Sequence, residues 1–250
     1  MKKYSVLIFI LFFYWMPSGF SQDGFEKGNQ LFTQGDYQGA VDAWLAAKET
    51  DGGSFGLYYN LGNAYYRLQD LGHARLYYEK ALLLKPYDQN TKDNISLVKS
   101  DQEESVEAIP VFFLKQWMNG LRDLFPVSVW MISGLLLLWL AFLLYFLDAR
   151  GKLSMPPFWR KWLSAGLLTL GFMCLFGGLS RWKSIENPGT AVVIPSSVTL
   201  KIAPEAESQD VMTLYGGTKV FFEDKIGDWY KVVLLNGEEG WLPLSEIEKI

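Results

Sequence analysis

Two uncharged runs, residues 127–147 and 162–180, constrain this chain more than any other feature of its sequence. At 21 and 19 residues, each is long enough to cross the ~30 Å hydrocarbon layer of a bilayer as a helix. No other conformation is open to them in lipid, because backbone amides there must find partners within the segment. Trp130, Trp139, Trp162 and Trp182 stand within or at the edges of the runs, as interfacial anchors do. Neither run contains Asp, Glu, Lys, Arg or His, which argues against a path for ions or protons. The single cysteine, Cys174, lies inside the second run and reads as a small packing residue.

Charge sets the orientation. The loop between the runs holds Arg150, Lys152, Arg160 and Lys161, against Lys115 and Arg122 before the first run and Arg181 and Lys183 after the second. The basic excess predicts a cytoplasmic loop over residues 148–161, with both ends of the chain outside. The N-terminus agrees independently: Lys2 and Lys3, an uncharged run to Met16, then small residues at Gly19 and Ser21 read as a signal peptide over residues 1–21. The alternative is an uncleaved anchor, and either one exports the repeats behind it. The predicted location is a bacterial inner membrane crossed twice, with both outer modules in the periplasm. A formal net charge of −4 gives no general attraction for phosphate, so nucleic-acid binding has no support.

Before the spans the sequence repeats every 34 residues: Gly28 aligns with Gly62, Ala40 with Ala74, Trp44 with Tyr78, and Ala47 with Ala81. That period belongs to stacked helix pairs, which cannot bury their apolar faces alone. Glycine and alanine stand where paired helices touch, and the aromatics fill the space beside them. In these residues, and in the stretch from Tyr58 to Tyr66 followed by Pro86, the segment resembles a tetratricopeptide repeat. Residues 22–100 are read as two repeats and a capping helix, the first repeat departing from the pattern at Leu31 and Gly52. The resemblance implies a concave groove lined by Asn29, Tyr59, Asn60, Asn63, Tyr66, Arg67 and Asn94, whose amides and guanidinium suit an extended peptide or a carboxylate. Asn60 and Asn63 are equally compatible with packing inside the repeat. His73 has no companion ligands in sequence and reads as solvated rather than metal-binding.

Residues 101–126 begin as an acidic linker. They continue as a helix whose apolar residues, Phe113, Leu114, Trp117, Met118, Leu121 and Phe125, recur at helical spacing. It lies either in the membrane interface or against the repeats. From residue 187 to 250 the pattern changes to short β-rich runs with Gly216-Gly217 and Asn236-Gly237 as turns. So few residues bury a core best as a small closed barrel. The residues from Leu200 to Pro204, from Asp228 to Val232 and from Gly240 to Leu242 resemble a bacterial SH3-like domain. Trp229 and Trp241 are its candidate surface residues, the alternative for each being a packing role. The module holds five Lys/Arg against ten Asp/Glu and gains no attraction to anionic polymers.

The fold class expected is therefore a multi-domain membrane protein: an all-α tetratricopeptide module, two transmembrane helices and a C-terminal all-β SH3-like barrel. In this order the parts resemble the BatE family of Bacteroides aerotolerance operons. That resemblance implies a Bat complex, von Willebrand factor A-type membrane proteins as partners, and a role in oxidative stress. Two binding readings stay open, a scaffold for protein partners and an anchor holding peptidoglycan that recruits wall enzymes. An enzyme is not expected, since no nucleophile with a base, metal cluster or phosphate-cradling loop is present in the outer segments. Nor is a cofactor.

Overall fold

The computed structural model describes residues 22–102, 113–152 and 155–250. The signal-peptide reading of residues 1–21 and most of the acidic linker lie outside the described residues.

Five helices form the repeat module: α1 (Gln22–Thr33), α2 (Tyr37–Asp51), α3 (Phe55–Arg67), α4 (Leu71–Leu84) and α5 (Gln89–Ser100). Their starts are written locally, because Asp36, Ser54, Asp70 and Asp88 each accept a backbone N–H three residues on. The aligned glycines do what the repeat requires. A Cβ at Gly62 would lie 2.5 Å from the Tyr78 ring, and one at Gly28 would overlap the Trp44 indole. Between the helices, Ala40, Val41, Trp44, Leu57, Leu61 and Leu76 form a continuous buried core. Tyr65 stacks on Tyr77 at 5.5 Å beside it.

Helix α6 (Phe113–Asp123) turns into α7 (Val127–Ala149), and α8 (Pro157–Glu186) returns beside it. Both α7 and α8 are long and apolar enough to cross a membrane, and only 11% of each apolar window is buried. They pack on each other where side chains are smallest: a Cβ at Gly134 would lie 2.8 Å from Leu175, and one at Gly171 2.9 Å from Leu138. Outside that seam Leu135, Trp139, Phe142, Phe172 and Phe176 stand exposed, a surface suited to lipid rather than water. The second helix outruns its apolar stretch at both ends. Pro157 sits in its first turn, where no N–H is needed, and no further proline interrupts it before Asn187. Its extension carries Arg181, which is 4% exposed and donates to Asp123 Oδ1 of α6 (3.0 Å) and to the Leu83 carbonyl of α4 (2.5 Å). Tyr87 adds a second tie, from its hydroxyl to the Gly120 carbonyl at 2.8 Å.

The C-terminal module is one antiparallel sheet. Its strands are β1 (Thr190–Val193), β2 (Ser197–Lys201), β3 (Asp210–Tyr215), β4 (Lys219–Ile226), β5 (Trp229–Leu234), β6 (Glu239–Pro243) and β7 (Ile247–Lys249). They run in the order β3-β2-β6-β5-β4-β1-β7. Gly217 and Gly237 take φ of 88° and 86°, the left-handed backbone that the two sequence turns require. Alternate residues, among them Val193, Leu200, Leu214, Val220, Val232 and Leu242, point inward and are buried. The fold class is that expected from the sequence. An addition is β7, three residues long, which pairs with β1 after a single 3₁₀ turn (Leu244–Glu246).

Candidate binding surfaces

The amides named from sequence form a ladder across the first helices. Asn60 Nδ2 donates to Asn29 Oδ1 at 3.1 Å, joining α3 to α1. The same step recurs one repeat on, where Asn94 Nδ2 donates to Asn63 Oδ1 at 3.0 Å, joining α5 to α3. Asn63 also accepts the Tyr78 hydroxyl at 2.8 Å, while Tyr59 accepts from Asn94 at 3.4 Å and lies 6.1 Å from the Tyr78 ring. Tyr66 donates to Asp101 Oδ2 at 2.6 Å. Asn29, Tyr59, Asn60, Asn63, Tyr66 and Asn94 thus lie along one face, each partly spent on its neighbours. Arg67 departs from it, with its guanidinium 4.6 Å above the Tyr37 ring at the start of α2. One turn apart on α3, Asn63 and Arg67 engage opposite neighbours.

Neither tryptophan of the barrel belongs to its core. Because Val232 and Leu234 point inward, Trp229 and Lys231 point outward, and the buried Gly240 and Leu242 turn Trp241 the same way. Trp241 pairs across the sheet with Lys231 on one side and Lys201 on the other, and Trp229 pairs with Pro243. Both rings are half-buried. Lys231 is held by Glu239 at 2.7 Å and Glu223 at 3.3 Å, and Lys201 by Asp210 at 2.6 Å. The result is two outward indoles beside a network of paired charges.

A third arrangement joins the two modules. Arg75 of α4 donates through Nε (2.9 Å) and Nη2 (2.6 Å) to Glu79 Oε1, and Lys219 of β4 reaches Glu79 Oε2 at 2.8 Å. Burial alone would raise the Glu79 carboxyl, but Lys219 and Arg75 overcome it and hold the group down at about 2. Lys80 pairs with Glu248 of β7 at 3.0 Å. Val192 enters the repeat core beside Leu76 and Tyr77. Gly72 makes the approach possible, since a Cβ there would overlap the Ile194 carbonyl. Beside the same turn, His73 stacks on Tyr65 at 4.8 Å and bonds Asp70 Oδ2 through Nδ1 at 2.7 Å. The bond to Asp70 raises the imidazole pKa against the opposing effect of burial. Sequence reasoning missed this junction. Its one visible signal was an Arg and a Glu four residues apart on α4, a pattern that ordinarily marks a solvated face.

Comparison with known families agrees with the two outer modules. Residues 55–88 match the tetratricopeptide repeat and residues 196–248 match the bacterial SH3 domain. No curated protein gives a match to the chain. Modules of both kinds ordinarily bind rather than catalyse, their ligands being proteins or cell wall.

Proposed function

We propose that the chain is a non-enzymatic scaffold of a bacterial inner membrane, which presents its repeats and its barrel together on the periplasmic side to protein partners. The observation that carries this reading is the buried Arg75–Glu79–Lys219 junction. Modules that touch share one side of the membrane, which supports α7 and α8 crossing as a pair, and the basic excess of the loop between them supports a cytoplasmic loop. Helix α6 lies in the outer interface, its Trp117, Met118 and Leu121 facing lipid while Asp123 and Gly120 are tied to Arg181 and Tyr87. The ladder of Asn29, Asn60, Asn63 and Asn94, with Tyr59 and Tyr66 beside it, is the groove for a partner segment, and Arg67 lies apart from it over the Tyr37 ring. The order of modules supports membership of a Bat complex, with von Willebrand factor A-type partners and a part in aerotolerance.

Topology is tested by single-cysteine labelling in intact spheroplasts. Ser245→Cys should react with an impermeant maleimide and Lys152→Cys only after permeabilisation; the reverse pattern would sink the arrangement. Mild crosslinking in native membranes and subsequent co-purification should then recover membrane proteins with a von Willebrand factor A domain. A second reading, a peptidoglycan anchor, draws on the outward Trp229 and Trp241, since flat aromatic surfaces stack on sugar rings. Sedimentation of the full chain with wall sacculi in detergent, lost in Trp229→Ala and Trp241→Ala proteins, would favour it.

A further inference from the structure

Between the two modules lies a cleft of about 610 Å³ that neither could form alone. Its floor is the contact of glycine backbones. A Cβ at Gly216 would stand 2.8 Å from the Pro195 carbonyl and 3.5 Å from the amide of Gly72. The barrel wall is pinned by Gln102, whose Nε2 donates to the Gly216 carbonyl at 2.7 Å. One side is then Gln69, Asp70 and Asp101 from the ends of the repeat helices, and the other is Ser196, Ser197 and Tyr215 of the barrel.

The chemistry of the two sides differs. Among the described residues no Lys or Arg lines the cleft. Asp101 spends Oδ2 on the Tyr66 hydroxyl, and its other oxygen has no partner among the described residues. Asp70 caps α4 through Oδ1 and shares Oδ2 with His73, so its charge is partly spent and Asp101 dominates. Across from them the hydroxyls of Ser196, Ser197 and Tyr215 make no hydrogen bond to any described residue. The surroundings have the same sign: residues 22–102 hold eight Lys/Arg against eleven Asp/Glu, and residues 187–250 five against ten.

We infer that this cleft binds an extended segment of a partner polypeptide carrying a Lys or Arg. The cation meets the free oxygen of Asp101, and the main chain is held by the barrel-side hydroxyls and the Gln69 amide. Its volume falls within the roughly 300–1,000 Å³ usual for ligand sites. The inference rests on the scaffold reading and adds to it a second site, with the charge of its ligand, away from the first-helix ladder.

The probe is a fluorescent octapeptide of alternating Lys and Ala, blocked at both ends, with its Glu–Ala counterpart, titrated by anisotropy into the full chain in nanodiscs. The Lys–Ala peptide should saturate and the Glu–Ala peptide should not. Asp70→Asn with Asp101→Asn should weaken binding at least tenfold while leaving the chain folded, because Asn keeps the helix cap and still accepts from Tyr66. Ser196→Trp, which fills the cleft from the barrel side, should weaken it as much, and Glu207→Gln, at an exposed acid outside the cleft, should leave it unchanged. Equal binding of the two peptides, no saturation by the Lys–Ala peptide, or undiminished affinity in both cleft variants would overturn the site. If the peptide fails while the full chain still co-purifies with membrane partners, the cleft falls and the scaffold stands. Peptide binding by a chain that recovers no partner would do the opposite.

Discussion

The second helices of the two repeats occupy equivalent places and are buried by different chemistry. In α2, Val41 is 1% exposed and Leu45 packs on the same core, because another repeat stacks against it. Thirty-four residues on, the same positions in α4 are Arg75 and Glu79, 4% and 8% exposed, and the barrel is their cover. Gln38, exposed on α2, becomes Gly72, on which the barrel backbone rests. The barrel thus closes the stack where a further second helix would lie. An apolar contact tolerates sliding, whereas Lys219 must reach the one Glu79 oxygen that Arg75, on the same helix, leaves free. Desolvation offsets much of the Coulombic gain, so the junction supplies register more than adhesion.

The greatest effect is expected where the two repeats agree. Gly62→Leu should unfold the module, because even a Cβ meets the Tyr78 ring at 2.5 Å, and the cost should exceed the roughly 1–3 kcal/mol of ordinary overpacking. Gly28→Leu should do the same. Chemical denaturation of the full chain in detergent, monitored by far-ultraviolet circular dichroism, reads both. Native-like transitions would mean that the pairing of Gly62 with Tyr78 is wrong.

Where the repeats differ, Glu79→Ala strands two cations in the junction and should cost about 3 kcal/mol. Replacing the set with the chemistry of repeat one, as Arg75→Val, Glu79→Leu and Lys219→Met together, should restore most of that loss. A triple variant no more stable than the single one would show that the ions hold the modules together as well as align them. Acid makes the same comparison without mutation. The Glu79 pKa is lower folded than its ordinary 4.5, so its contribution is complete above that value and fades as pH falls toward about 2. His73 works in the opposite sense. Its folded pKa is raised above 6.5, so its contribution is complete below 6.5 and is lost as pH rises through the folded value. Both limbs should appear in the stability of the full chain against pH and should vanish separately in Glu79→Leu and His73→Gln proteins.

The smallest effects separate the two rungs of the amide ladder. Asn63→Ala leaves the Tyr78 hydroxyl without its acceptor and the Asn94 amide with only its longer bond to Tyr59, and should cost about 1–2 kcal/mol. Asn60→Ala breaks one half-exposed bond to Asn29 and should cost less than about 1 kcal/mol. Equal denaturation midpoints for the two would mean that Asn63 is no more structural than Asn60.

Features that repeat or alternate were legible in the sequence. Gly28 and Gly62 advertised their contacts through the 34-residue period, and the inward strand residues advertised theirs through period two. Single long-range contacts left no such trace. Arg75 and Glu79 look like a solvated pair until β4 brings Lys219 to them, across 140 positions of chain. Arg181 counts as a flanking positive charge in any reading of topology, and only the packed structure shows it buried. Strand β7 is too short to declare itself and exists because β1 offers it an edge. The outward turn of Trp229 and Trp241 depended on strand phase, which their neighbours Val232 and Leu242 settle.

Arg181 also changes how this molecule would respond to a pull. A partner tugging on the repeats loads α4. The short route runs from the Leu83 carbonyl through one guanidinium into the last turns of α8. Tension on the repeats would therefore tilt the α7–α8 pair through that contact, and the barrel, leaving the same end of α8, would move with it.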